Sequence, residues 1–382
     1  MMDDTGDAAA GLRLVFWQGH KSLHQAPLLR HVGRLWAART GGAVHLNLTE
    51  TVPAHRQASG WREFDYGDVV VTSVTDRGGS FGGGSFDVFS GFPIEDKLPA
   101  HARRLARNGH RFAVMAERPG DEVAWRAPLR RLKYRWASMV LPADMLLFTL
   151  GAGAEPYYRA AGFTQARYRP FGYFTEPPSS VVASRPPNDR VELLFVGSLE
   201  PRKAPELLLE AVAEVQAPAW HLTMVGTGPM QGAIERRTSH LDLQGKVTLI
   251  PTMSNNEVQQ RMRLADHLIL PSRFDGWGAV VNESLMAGTP VLVSEQVGAR
   301  ALLRDAMLGR VVPAGSAAEL TAALKEAVAA GPVPYARRAA VEAWARAGIA
   351  PERAATYLVD AIIAYLTGAP PPLDFFDTLG EP

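Results

Sequence analysis

Short, continuously apolar runs alternate with amphipathic stretches along this chain, and the alternation occurs twice, on either side of a proline-rich break. A strand that is apolar on both faces must be covered on both faces, and a parallel sheet flanked by helices does that. In the first half the pattern predicts strands over Leu12–Trp17, Val44–Leu48, Asp68–Val74, Phe86–Ser90, Phe112–Met115 and Met145–Leu150. Helical periodicity falls over Leu28–Arg39, Glu95–Asn108 and Pro128–Val140. In the second half, strands are predicted over Glu192–Val196, His221–Val225, Val247–Ile250, His267–Leu270, Pro290–Val293 and Arg310–Val312. Helices are predicted over Ala204–Val215, Met230–His240, Ala279–Ala287, Ala317–Ala329 and Pro351–Leu366. The break, Phe174–Arg190, reads FTEPPSSVVASRPPNDR and has no helical period. The expected organisation is a domain over 1–173, a linker over 174–190, a second domain over 191–348 and a terminal helix with its tail over 349–382, the helix crossing back to the first domain. The fold class is α/β, two doubly wound Rossmann-like domains facing a central cleft, with ligands expected beyond the carboxyl ends of the strands.

Composition narrows the chemistry. The 382 residues are 47% hydrophobic and 21% charged, which supports two cores and argues against disorder. The chain has no cysteine, so disulfide scaffolds, cysteine–zinc sites, iron–sulfur clusters and cysteine nucleophiles are excluded. That composition fits the cytoplasm. A net charge of +1 supplies no bulk field toward nucleic acid or membrane. Met1–Gly11 carries Asp3, Asp4 and Asp7 and lacks the basic start and apolar core of a signal peptide.

Several motifs are formally present but lack their context. Gly78-Gly79-Ser80-Phe81-Gly82 matches a hydrolase nucleophile elbow, yet it sits among glycines and leads into a strand rather than a helix. Gly226-Thr227-Gly228-Pro229 has the start of a dinucleotide turn, but Gly232 comes one position late, so a tight strand-to-helix turn is the simpler reading. His20 and His24 are four apart in a loop with no neighbouring carboxylate, and no metal site is assigned to them. Arg103–Arg135 is locally basic, with Trp125, Tyr134 and Trp136 interleaved. It suits a solvated helix face, an anionic membrane surface or an anionic acceptor.

The segment His267–Ser294, HLILPSRFDGWGAVVNESLMAGTPVLVS, is the most informative. A strand ends at Pro271-Ser272, a loop Asp275-Gly276-Trp277-Gly278 follows, and a helix begins near Ala279. Gly276 and Gly278 remove side chains where the backbone turns. The amides of Trp277, Gly278, Ala279 and Val280, with the helix dipole, then form an anion site suited to a diphosphate. Asp275 and Glu283 flank it as carboxylates that accept hydrogen bonds from sugar hydroxyls.

Asp275 to Glu283 resembles the E-x7-E signature of retaining glycosyltransferases of family 4, here as D-x7-E. A second stretch, Leu194–Lys203 followed by Leu207–Ala211, is similar to that family's segment in which an arginine and a lysine grip the donor diphosphate. Lys203 matches the lysine. Ser198 stands where the arginine belongs, and Arg202 is the candidate to replace it; the two cations differ in how they bind phosphate. Leu222–Pro229 resembles a further family turn, and Thr252 and Met253 fall where its base-contacting loop lies. Gly151–Tyr173 resembles the approach to the linker in bacterial polysaccharide transferases. The resemblance is strong over roughly Glu192–Ala330 and diffuse over 12–172.

The resemblance implies the GT-B fold and a metal-independent, retaining transfer from a nucleotide-diphosphate sugar to an acceptor hydroxyl, with no cofactor. The second domain would hold the donor and the first the acceptor: a glycan, a lipid-linked molecule or a small molecule. The implied catalytic residues are Lys203, Arg202 and Asp275, with Glu117 and His24 of the first domain near the reacting sugar. Donor contacts fall to Glu283, Gly276, Trp277, Gly278, Ala279, Val280, Gly19, Ser198, Thr252 and Met253. A cytoplasmic location follows, with peripheral contact at the inner membrane face through the basic stretch. The rival readings are an epimerase or phosphorylase on the same fold, or a nucleotide-sugar-binding protein without catalysis.

Overall fold

The computed structural model describes residues 7–51, 64–74, 84–92, 104–120, 127–178, 189–217 and 219–379. The Gly78–Gly82 motif, Trp125, residues 95–103 of the expected helix at Glu95–Asn108, and 179–188 of the break lie outside them. The chain divides into two compact units, Met1–Thr175 with Ala350–Pro382, and Glu176–Ile349.

Unit 1 is built on a parallel sheet of seven described strands in the order β3-β2-β1-β4-β5-β6-β7. They are β1 (Arg13–Gln18), β2 (Val44–Leu48), β3 (Val70–Ser73), β4 (Ser85–Ser90), β5 (Phe112–Glu117), β6 (Leu146–Leu150) and β7 (Arg167–Phe171). The inner strands β1, β4, β5 and β6 are the continuous apolar runs, buried nearly end to end. Edge strand β3 is exposed throughout. Strand β7 was not expected from sequence. Its run RYRPF breaks the apolar pattern, and Pro170 is tolerated because an edge strand needs fewer ladder donors. Its described helices include α1 (Ala26–Thr40), α2 (Ala127–Val140) and the short α3 (Ala154–Ala160).

Unit 2 repeats the design with six described strands: β8 (Val191–Val196), β9 (Trp220–Val225), β10 (Val247–Ile250), β11 (His267–Leu270), β12 (Val291–Ser294) and β13 (Gly309–Val312). Their order is β10-β9-β8-β11-β12-β13, all parallel, so the connection reverses direction between β8 and β11. Helices α4 (Pro205–Ala213), α5 (Gln231–His240), α6 (Asn255–Leu264), α7 (Val280–Met286), α8 (Ala317–Ala329) and α9 (Tyr335–Gly348) lie in this unit. Leu207, Leu208, Ala211 and Val212 of α4 and Leu320 and Leu324 of α8 cover one sheet face together with Phe195, Leu222 and Ile269. The helix expected over Ala204–Val215 forms as α4, and a 3-10 turn, Pro201–Lys203, precedes it. Ala204 separates them at φ 51°, a left-handed conformation that costs an alanine about 1 kcal/mol. Sequence periodicity missed α6, in which only Met262 is buried, and α9, which buries Arg338 and Glu342 with its apolar side.

Helix α10 (Pro351–Thr367) belongs to unit 1 and packs on α1. Arg39 pairs with Asp360, and Arg111 donates to the carbonyls of Tyr365 and Leu366.

In unit 2 the fully buried Asp266 ties the start of the sheet together. Its Oδ2 accepts from the amide of Glu192 and its Oδ1 from that of Val333, both at 2.8 Å. Replacing Asp266 by Ala leaves two buried donors without this acceptor. Asp266→Ala should therefore lower stability by about 2–4 kcal/mol, seen as a drop in the urea midpoint at unchanged m-value. Asp266→Asn, which keeps one acceptor oxygen, should lose less.

Candidate functional site

In an open parallel sheet the loops leaving two neighbouring strands diverge to opposite faces where strand order reverses, and a crevice opens between them. In unit 2 that point lies beyond the carboxyl ends of β8 and β11. The loop after β8 carries Gly197, Ser198, Glu200, Arg202 and Lys203; the loop after β11 carries Asp275, Gly276, Trp277 and Gly278.

Backbone hydrogen bonds lock the two loops together. The carbonyl of Arg202 accepts from the amides of Arg273, at 2.8 Å, and Phe274, at 3.4 Å. Asp275 is held from the other side, its amide donating to Gln296 and its carbonyl accepting from Gly298, each at 3.0 Å. The side chains then meet. Lys203 Nζ donates to Asp275 Oδ2, and the Arg202 guanidinium lies 3.7 Å from Oδ1 of the same carboxylate. Arg202 also donates to the Phe274 carbonyl at 3.2 Å and to Glu200 Oε1 at 2.6 Å. Ser198 Oγ donates to that same Glu200 oxygen at 2.6 Å. Ser198, Arg202 and Lys203 thus depress the Glu200 pKa against the opposing effect of burial.

Lys203 and Asp275 are mostly buried, with side-chain exposures of 12% and 11%. Arg202, Lys203, Glu200 and Asp275 are formally two positive and two negative groups. Their formal charges cancel within the cluster.

Beside this cluster α7 begins. Gly278 has φ 89°, and a Cβ there would lie 2.9 Å from Val297 Cγ1, so both conformation and space call for glycine. Ala279 is the N-cap, and no side chain caps the helix, which starts at Val280. The dipole and the first amides therefore favour an anion here. Glu283 lies in the first turn of α7, where burial raises its carboxyl pKa to about 7.

The Trp277 ring is 1% exposed and its Nε1 donates to Asn282 Oδ1 at 2.8 Å, so the side chain packs inside, and the contact expected of this residue is one of its backbone amide. Gly276 is buried in the turn. Gly226 and Gly228 serve packing, since a Cβ on either would strike the backbone of Gly197 or Leu199. Thr252 and Met253 lie beyond β10, two strands from β8 on the same sheet edge, about 10 Å away by strand spacing. Glu200, which bridges Ser198 and Arg202, was not singled out from sequence; an acid two residues before an arginine was the available signal.

The unit 1 candidates lie at the carboxyl ends of its strands. Gly19 follows β1, and its carbonyl accepts from Glu50 at 2.6 Å. His24 stands 6.5 Å from Tyr173, ring centre to ring centre. Glu117 ends β5, and its carbonyl accepts from the Tyr158 hydroxyl. Strand β4 separates β1, which precedes His24, from β5, which ends at Glu117. Among the described residues no group of three or more His, Asp or Glu side chains is placed to hold a metal ion.

Residues 180–343 match the family model for glycosyl transferases group 1. Curated relatives include D-inositol 3-phosphate glycosyltransferases of Geodermatophilus obscurus and Thermomonospora curvata. The first is 33% identical over 154 residues, 37% of this chain and 34% of the relative. The second is 32% identical over 171 residues, 40% of each. The chain thus matches only about a third to two-fifths of those relatives' lengths. Among solved structures, sucrose-phosphate synthase from Thermosynechococcus elongatus aligns with TM-score 0.67 at 17% identity, covering 94% of this chain and 100% of that one. HepE of Anabaena, solved in complex with UDP and glucose, aligns with TM-score 0.64 at 13% identity, covering 92% and 99%. Two parallel-sheet units, one carrying a glycosyl transferases group 1 segment, give this chain the GT-B fold.

Proposed function

We propose that this chain is a glycosyltransferase that moves a sugar from a nucleotide-diphosphate donor to an acceptor hydroxyl, with retention and without a metal ion. The observation that carries the reading is the meeting of Lys203, Arg202 and Asp275 at the strand-order reversal of unit 2, beside the uncapped start of α7. The group 1 match and the GT-B neighbours support it. The neighbours' complexes with UDP make a uridine donor the first to try.

In this reading the donor diphosphate takes Lys203 from Asp275, and the freed carboxylate accepts hydrogen bonds from sugar hydroxyls. The exchange offsets part of the cost of breaking a buried pair. Arg202, which faces Asp275 and the Phe274 carbonyl, supplies the guanidinium that Ser198 does not. The amides at Gly278, Ala279 and Val280 neutralise the remaining oxygens, Glu283 accepts from the ribose, and Thr252 and Met253 lie toward the base. As the glycosidic bond breaks, charge collects on the leaving diphosphate, where these fixed groups stabilise it. The acceptor hydroxyl attacks from the face the leaving group vacates and gives its proton to the departing phosphate oxygen, with Glu117 and His24 of unit 1 assigned near the reacting sugar and Gly19 to a donor contact. Catalysis rests on positioning and electrostatics rather than on a protein nucleophile. The absence of cysteine agrees with a cytoplasmic setting.

A thermal-shift panel of UDP, GDP, ADP and TDP tests the site, because a ligand that binds only the native state raises the melting temperature. One nucleotide is expected to stand out. Lys203→Ala should abolish that shift and lower transfer about 10²–10³-fold; an unchanged shift and rate would remove the phosphate role from Lys203. Incubation with the nucleotide sugar alone should leave the sugar unaltered, whereas an epimerase would change it.

Glu283 gives a pH-dependent check. Its folded pKa, about 7, lies above the ordinary 4.5. The folded state thus favours the neutral acid, and the stability tied to this group is present below pH 4.5 and lost as pH rises through 7. Glu283→Gln removes that loss. The variant should match the parent near pH 4.5 and exceed it by about 1–3 kcal/mol at pH 8, while its nucleotide-induced shift falls.

A further inference from the structure

Helix α2 presents two unlike faces. One is pinned to unit 1 by Tyr134 and Ala137, both buried. The Tyr134 ring makes edge contacts with Phe92 at 5.3 Å, Tyr158 at 5.4 Å and Tyr157 at 5.8 Å, which fixes the rotation of the helix about its axis. The opposite face carries large apolar side chains: Leu129 is 60% exposed, Leu132 65%, Trp136 41%, Met139 72% and Val140 40%.

These five fall at i, i+3, i+7, i+10 and i+11, a single stripe about 100° wide at 100° per residue. Elsewhere among the described residues, exposed large hydrophobic side chains are single or lie on edge strand β3. Lys133 lies along one border of the stripe and Arg131 and Arg135 along the other. The helix has no Asp or Glu. A stripe of this kind marks an interaction surface, and the flanking charge decides its partner. A second copy packed face to face would bring cationic borders together. An anionic lipid surface offers what the stripe lacks: an acyl boundary for its centre and phosphates level with its rims. Long cationic side chains reach outward to such phosphates while their stems stay on the apolar surface, and tryptophan favours the same depth. At about 21 Å the helix is too short to cross a bilayer and suits lying flat on it.

We propose that α2 is a membrane-surface helix that docks unit 1 on anionic lipid, with Leu129, Leu132, Trp136, Met139 and Val140 entering the acyl boundary and Arg131, Lys133 and Arg135 meeting lipid phosphates. The proposal does not depend on what the donor site binds. It places any acceptor handled by unit 1 beside a lipid surface.

Flotation of the full chain with vesicles tests it. The chain should float with phosphatidylcholine–phosphatidylglycerol vesicles, more weakly with phosphatidylcholine alone, and added salt should release it. Lys133→Ser with Arg135→Ser should lower partition about 25-fold at low salt, at about five-fold per cation. Leu132→Ser with Met139→Ser should lower it about ten-fold or more. Because these side chains are exposed, both double variants should melt with the parent and keep its nucleotide-induced shift. Equal partition of parent and variants, or no preference for phosphatidylglycerol, would overturn the proposal. So would self-association of the parent, seen by sedimentation, that Leu132→Ser with Met139→Ser abolishes. A nucleotide shift without lipid binding would sink this proposal alone; lipid binding without any nucleotide shift would instead count against the donor reading.

Discussion

The ion pair between Lys203 and Asp275 joins two loops that are 72 residues apart in sequence. With both side chains nearly out of solvent, removing one partner leaves a buried charge and costs about 3–5 kcal/mol. The pair therefore ties together the two loops at the strand-order reversal. Under the proposed donor reading, a ligand has to offer Lys203 a better anion and Asp275 hydrogen bonds to accept. A molecule with a diphosphate at one end and hydroxyls at the other meets both conditions. A simple anion meets only the first.

In the proposed reading, Arg202 supplies from a neighbouring position the charge that Ser198 lacks. The residue at the expected position is Ser198, whose hydroxyl turns to Glu200. Glu200 in turn orients the Arg202 guanidinium, which reaches Phe274 and Asp275. A planar guanidinium held by two acceptors loses little further freedom when a third arrives. The left-handed backbone at Ala204 ends the 3-10 turn immediately after Lys203, so that the two cations are presented from a rigid turn rather than from the first turn of α4.

Much of this architecture was legible in the sequence because burial on two faces leaves a continuous apolar run. Strands β2, β10 and β11 and helix α8 fall on the predicted residues. Strand β7 was not legible, since Arg167, Arg169 and Pro170 hide an edge strand's weaker pattern. Helix α6 was hidden by polarity: it is defined by its capping box, Ser254 with Glu257, more than by an apolar stripe. At the site, the turn at Gly278 and the acids on either side of it could be read directly. The pairing of Lys203 with Asp275 could not, because it depends on strand order. Nor could the direction of Arg202, which depends on Glu200 and the Phe274 carbonyl. The packing role of Trp277 was missed because its partner, Asn282, faces it only once α7 has formed.

Unit 1 is assembled from two stretches of chain separated by the whole of unit 2. Leu28, Leu29, Val32 and Trp36 of α1 are buried in the finished structure, where α10 packs on that helix. During synthesis the part of α1 on which α10 packs leaves the ribosome more than 300 residues before that cover does, a wait of about 15–60 s at common elongation rates. Until translation reaches α10, the first unit carries an open apolar strip, and a truncated product keeps that strip for good. Quality control by chaperones and proteases would thus act on incomplete chains through α1, well before any defect in the donor site could be sensed.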